Sequence, residues 1–239
     1  SGAGRRGRAR VGGARPGDAE RVAAAGRRMA ADGRARAVQA ALAPGLTLFD
    51  GGDASLRATT FGDRPLHASR CALAFAEGLA AGGIMPVGRY CAPSAAPEEG
   101  VEAARREMLR RTLASGRFGG LLLRGGSTEC RAVEDSLFNR GFLRGECRFD
   151  GVLLGDLWQT RSTRGALRGG LDIDLPRGQW LDAERPQPLI DSGDLSPEAV
   201  DRRVRRPLLV PQRSPPHTPA QAHPPLPATL HPAPRPPPN

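Results

Sequence analysis

Short apolar runs alternate with longer helical stretches through most of this chain, and that alternation limits its fold more than any other feature. From Asp18 onward, Val22, Ala25, Met29 and Ala30 recur at three- and four-residue steps, the spacing of a helix with one apolar face. Residues 38–42 read as a short strand, which Ala43-Pro44-Gly45 ends with turn chemistry. A helix is predicted over 67–80 and stopped by Gly82-Gly83. Then come a strand at 84–87, a helix at 98–114, a strand at 119–123, a helix at 132–143 and a strand at 151–155. A short helix around 162–168 and a strand near 171–173 follow. The last helix starts with Ser196 as N-cap and Pro197 at the first helical position, and ends before Pro207. Strands joined by helical crossovers build a parallel sheet. About five such units are present, where a closed barrel of this kind needs eight. The expected class is α/β: a partial (β/α)8 TIM-type barrel over residues 17–206, with disordered termini.

Both ends break the pattern. Residues 1–16 are rich in Gly and Arg, and residues 207–239 are rich in Pro without a periodic apolar face. Both are expected to be disordered, the tail polyproline-like. The tail suits either a proline-reading partner or a bland extension. The chain opens on Ser1 and an arginine-rich stretch rather than an apolar signal core, so a missing N-terminus is expected and the compartment stays open. No run of about eighteen apolar residues is present, so no transmembrane helix is expected.

Composition excludes several function classes. All 35 basic side chains other than histidine are arginines, and they are scattered over every segment. With aromatics at 4%, the net charge of +10 lacks the platforms of an RNA reader, and no specific nucleic-acid partner is expected. Cys71, Cys91, Cys130 and Cys147 form no CxxC pair. They read as small buried hydrophobes or, in a secreted protein, as two disulfides. Three of the four histidines, His217, His223 and His231, lie in the tail, too sparse for a metal site. No cofactor or metal is expected. A basic interaction protein using its Arg-rich start or Pro-rich tail is one function class that remains.

In a parallel barrel, active residues sit at the C-terminal ends of strands, where the loops converge on one mouth. Asp156 directly follows Val152-Leu153-Leu154-Gly155. An acid ending a buried apolar strand costs desolvation unless it has partners or a reaction to perform. Position alone leaves two readings open: a reactive carboxylate, or a cap for the next helix or loop.

The residues around Asp156 carry a resemblance. Phe142-Leu143-Arg144, Glu146, Phe149-Asp150-Gly151, Gly155-Asp156-Leu157-Trp158 and Gly170-Leu171-Asp172-Ile173-Asp174-Leu175-Pro176 resemble, in that order, motifs of the family 3 glycoside hydrolases. Phe61-Gly62-Asp63-Arg64-Pro65, Ala74-Phe75-Ala76-Glu77-Gly78-Leu79, Ala43-Pro44-Gly45 and the stretch from Asp194 to Arg206 extend it collinearly. The resemblance implies a retaining, β-glucosidase-like hydrolase with Asp156 as nucleophile and a β-linked glucoside or oligosaccharide as substrate. It also implies sugar contacts from Arg89 and Tyr90, where the family carries a Lys-His pair, and a stacking platform at Trp158. Trp158 reads equally as packing, and Trp180 reads as packing. An extracellular or vacuolar location is implied by the family alone. Oligomeric state is left open.

The departures are as informative. Arginine at 89 keeps the family's charge without lysine's compact geometry. The tyrosine that supports the nucleophile falls on Gly125, and the Arg-Asn-x-Glu stretch has become Leu56-Arg57-Ala58-Thr59. The early barrel strands and the second domain, which often supplies the acid/base, are absent from the sequence. A retaining glycosidase needs two carboxyl groups about 5–5.5 Å apart. Glu129, Glu134, Asp172 and Asp174 are near Asp156 in sequence, but Asp172 and Asp174 read as turn stabilisers and none is a convincing second carboxyl. Poor activity or none is expected, which leaves a non-catalytic descendant with residual sugar binding as the alternative.

Overall fold

The computed structural model describes residues 19–49, 59–93, 99–126, 131–182 and 184–209. Five strands form one sheet in chain order: β1 (Ala40–Ala41), β2 (Met85–Ala92), β3 (Gly120–Gly125), β4 (Val152–Gly155) and β5 (Ile173–Asp174). Every neighbouring pair is parallel. In-order parallel pairing with helical crossovers is half of a curled α/β barrel. The helices are α1 (Ala19–Arg34), α2 (Pro65–Ala81), α3 (Glu99–Leu113), a π-helix (Leu137–Glu146), α4 (Thr163–Gly169), α5 (Gln187–Asp191) and α6 (Pro197–Leu209).

The strand register sorts side chains onto two faces, because successive residues of a strand point to opposite sides. Leu121, Leu123 and Leu153 lie on the helix-facing side and are fully buried, as are Met108 and Leu109 of α3 and Leu143 of the π-helix. Each buried leucine contributes about 1.5–3 kcal/mol. The concave face carries Val87, Arg89 and Cys91, paired across with Gly120, Leu122 and Arg124. A Cβ on Gly120 would meet Leu154 and Val87, whereas one on Gly88 would meet Leu46 and Leu121. Leu154 and Ile173, opposite each other on the concave side, are only half-buried.

α1 and α2 pack through glycines. A Cβ at Gly26 would stand 2.4 Å from the Phe75 carbonyl oxygen, and one at Gly78 would stand 2.1 Å from that of Ala23. The buried stripe of α1 is Val22, Ala23, Gly26 and Ala30, while Met29 faces solvent.

Several expected boundaries move. The strand predicted at 38–42 shrinks to two residues, with Val38 and Leu42 exposed. Ala43-Pro44-Gly45 does not end the pairing. Arg89 N–H donates to the Pro44 carbonyl at 2.9 Å, and Leu46 N–H to that of Arg89 at 2.7 Å. β2 runs to Ala92, five residues past its predicted end at 87, so Arg89 and Tyr90 lie inside the strand. Residues 132–134 form a turn, and the helix after them is π-helical. α6 continues through Pro207 to Leu209. α5 is a short helix that no periodic signal in the sequence predicts. The disordered segment expected at 1–16, the tail beyond Leu209, Cys130 and Leu56-Arg57-Ala58 lie outside the described residues.

Candidate active site

The strand end that carries Asp156 is built from below. Arg144 on the π-helix donates through Nη1 to the carbonyls of Phe149 and Gly151, at 2.7 and 2.6 Å. Its Nη2 donates to Asp172 Oδ2 at 2.8 Å. The same oxygen accepts from Leu153 N–H at 2.8 Å, while Oδ1 accepts from Arg206 Nη1 at 3.1 Å. Asp172, with a side chain 0% exposed, thus joins the π-helix, β4 and α6. Burial draws the Arg144 guanidinium down to about 10, and Asp172 offsets part of that shift. Gly151 is required here, since a Cβ would stand 2.4 Å from the Phe149 ring. Asp172 is therefore more than a turn residue. Asp174 does hold a turn: its Oδ2 accepts from Trp180 N–H at 3.1 Å and its carbonyl from Gly178 N–H at 2.8 Å.

Asp156 continues the register of β4, its N–H donating to the Leu123 carbonyl at 3.0 Å. That alternation puts it on the concave face, in line with Leu154. Oδ1 accepts from Leu157 N–H at 2.8 Å, and Oδ2 lies 3.8 Å from Arg124 Nε. The Asp156 side chain is 24% exposed and that of Arg124 61%. The following loop is pinned by Gln159, whose Oε1 accepts from Gly125 N–H at 3.1 Å and Arg131 Nη1 at 3.3 Å. Trp158 sits between these anchors with φ +61° and its residue 65% exposed. A left-handed conformation costs a non-glycine residue about 1–2 kcal/mol, so the surrounding hydrogen bonds must hold it.

The residues picked from the sequence separate. Arg89 is on the concave face, and its Nε is buried without a hydrogen-bond partner. Tyr90 points the other way: it is 3% exposed and stacks on Phe138 with ring centroids 5.2 Å apart, under α3. Burial, with Glu102 adding to it, pushes its hydroxyl well above the usual phenol range. Consecutive strand residues cannot share a face, so Arg89 and Tyr90 do not act together. Glu134 is spoken for: its Oε1 accepts from the N–H groups of Arg161 and Ser162, both at 2.9 Å, ahead of α4. Glu129 lies outside the described residues. Trp180 lies under the Arg185 guanidinium, 5.3 Å from its ring centroid.

Arg124 was not singled out from the sequence. Its signal is positional: it lies two residues beyond Leu122 on the same face, directly opposite Cys91. Among the described residues, no three His, Cys, Asp or Glu side chains gather where a metal ion could sit. No described helix is long and apolar enough to cross a membrane. A 460 Å³ cleft lined by Ile84, Met85, Phe118, Cys147 and Phe149 opens at the N-terminal ends of the strands, away from Asp156.

No family model matches the chain. A stretch of 78 residues is 32% identical to Beta-glucosidase B of Emericella nidulans, covering 32% of this chain and 9% of that protein. The crystal structure of the beta-glucosidase from Kluyveromyces marxianus in complex with glucose superposes with a TM-score of 0.74 at 20% identity, over 82% of this chain and 25% of that one. The family 3 beta-N-acetylglucosaminidase from Paenibacillus sp. gives 0.69 at 20% identity, over 83% and 44%. The chain thus spans under a tenth of the curated relative, and less than half of each of these two structures. The structural likeness shows the fold.

Proposed function

We propose that this divergent relative of the family 3 glycoside hydrolases binds a β-linked glucoside at the C-terminal ends of β2, β3 and β4, with Asp156 in the nucleophile's place. The observation that carries this reading is the position of Asp156: a partly exposed carboxylate on the concave face, one turn from an exposed, left-handed Trp158. An indole there offers a flat apolar surface to a sugar ring. Arg89 and Arg124 supply donors for hydroxyls on the same face. The glucose-bound structural neighbour supports a glucoside as the ligand class.

The same geometry favours binding over turnover. A retaining mechanism needs one carboxylate to attack the anomeric carbon and a second, about 5–5.5 Å away, to protonate the leaving oxygen. Among the described residues near Asp156, Glu134 is committed to the α4 loop, and Asp172 and Asp174 hold the backbone and their neighbours. We therefore read the chain as a glucoside-binding half-barrel whose hydrolysis is weak or absent.

Titration with glucose, followed by indole fluorescence, tests the binding. The expected result is a saturable change that Trp158→Ala removes, while Trp180→Phe keeps it. No saturable change in the wild-type chain sinks the sugar site. Hydrolysis of an aryl β-glucoside tests the chemistry: any turnover is expected to vanish in Asp156→Asn. Turnover that survives that substitution removes Asp156 from the nucleophile's place.

A further inference from the structure

Away from the strand ends, five arginines converge on one pocket. A 190 Å³ cavity between the π-helix, the turn at Gly170 and α6 is lined by Asn139, Arg140, Arg144, Arg202, Arg203 and Arg206. No lining residue is acidic. The nearby Asp172 is saturated by Arg144, Arg206 and the Leu153 N–H. Arg140 donates to the Leu167 carbonyl at 3.1 Å and Arg202 is exposed.

Arg203 is the most constrained of the five. It is 7% exposed, its Nη1 donates to the Ala199 carbonyl, and its buried Nε has no partner. Burial first, then Arg140, Arg206 and Arg202, draw its guanidinium down to about 10, and Asp172 opposes them. A buried cation with an orphaned donor and three like charges around it is unfavourable unless something anionic joins it. Asn139, fully buried at the same pocket, has an Oδ1 with no donor.

We propose that this pocket binds a phosphate group. Guanidinium forks match the oxygens of a tetrahedral oxyanion, and an anion here would offset the charge that Asp172 leaves uncompensated. Hydrogen phosphate also carries a P–OH donor for an acceptor such as Asn139 Oδ1, which sulfate lacks. The cavity admits inorganic phosphate or the phosphate end of a small organic ester. The proposal is independent of the sugar reading, because none of Asp156, Trp158, Arg89 and Arg124 lines this pocket.

The test is calorimetric titration of the full chain with inorganic phosphate, sulfate and chloride at matched ionic strength, with glycerol 3-phosphate, an ester without a sugar ring, in parallel. Saturable phosphate binding is expected, tighter than sulfate. Arg203→Gln should weaken it roughly tenfold, the loss of one charge-assisted hydrogen bond. Should Arg203→Gln fail to fold, the exposed Arg202→Ala and Arg140→Gln keep the test, and each is expected to weaken binding severalfold. Tighter binding of glycerol 3-phosphate than of inorganic phosphate assigns the site to a phosphate ester, and the reverse assigns it to free phosphate. No saturable phosphate binding, sulfate binding as tight as phosphate, or folded variants that bind like the wild type overturn the proposal.

Discussion

A single carboxylate, Asp172, receives two arginines and a strand N–H while fully excluded from solvent, so its removal strips partners from three elements at once. Removing one partner of a buried ion pair leaves the other charged and uncompensated. Asp172→Ala is therefore expected to lower stability by about 3–5 kcal/mol. Urea unfolding should show this as a lower midpoint at an unchanged slope. Cys147 makes a second residue-scale prediction. Burial, with Glu146 adding to it, raises the thiol from 9.0 to about 11. The unfolded chain then loses this proton first. The thiol's contribution to stability is full below pH 9 and is lost as the pH rises through about 11. At pH 8, the two-unit shift leaves the folded thiolate fraction about a hundredfold smaller. Alkylation followed by mass spectrometry should find Cys147 slow in the native protein and fast in denaturant. Equal rates in the two states would show that the thiol is not held in this environment.

At the scale of elements, legibility followed periodicity. α2 and α3 were read to within a residue or two, because their apolar residues repeat with the helical period and glycine or a turn closes them. Apolar content predicts an unbroken strand at 38–42, whereas only Ala40–Ala41 form β1 and the pairing with β2 resumes at Pro44 and Leu46, past the turn residues that the sequence marks as its end. The strand predicted at 84–87 is too short, since Gly88, Arg89 and Tyr90 lack the apolar run that marks a buried strand; the resemblance pairs Arg89 with Tyr90, and the longer β2 sends them to opposite faces. The helix expected at 132–143 is present but displaced to Leu137–Glu146, and its π-helical turns are wider than the 3.6-residue period from which the sequence predicts a helix. The site divided in the same way. Asp156 was visible because an acid interrupts an apolar run, whereas Arg124 depends on register, which exists only once strands pair. The α1–α2 crossing is a further feature that sequence alone does not announce. Gly78→Ala places a methyl 2.1 Å from the Ala23 carbonyl oxygen, a contact with backbone that no side-chain rotation relieves. The helices must move apart, at an expected cost of about 1–3 kcal/mol. Gly100→Ala, with open space around its Cβ, is the matched control and should stabilise α3 by up to about 1 kcal/mol. Thermal unfolding of the two variants checks both signs.

At the scale of the whole molecule, the net charge is spread unevenly along the chain. Of the net +10, residues 1–18 supply five arginines against one aspartate, and residues 210–239 supply two arginines and no acid. Six of the ten net positive charges thus belong to residues 1–18 and 210–239, whereas among the described residues 19–209 Arg pairs repeatedly with Glu and Asp, as in Arg27 with Glu20, Arg106 with Glu102 and Arg117 with Glu77. Two kinds of binding should therefore be separable in one protein. Attraction to a polyanion by scattered arginines is sequence-independent and falls steeply with salt, by about 0.9 log unit per neutralised phosphate for each decade of salt. Recognition of a neutral sugar by hydrogen bonds and an indole face is nearly indifferent to salt. A chain trimmed to residues 19–209 keeps every strand and helix described above. Its affinity for a mixed-sequence DNA duplex, followed by anisotropy across a salt series, should be much weaker than that of the full chain and should show a shallower slope. Its glucose titration should be unchanged. If the trimmed chain holds the duplex as tightly and with the same slope, the arginines of the half-barrel itself carry the contact, and the basic termini are passive. If the trimmed chain loses glucose binding while remaining folded, the termini contribute to the concave face, and the assignment of the sugar site to the strand ends alone fails.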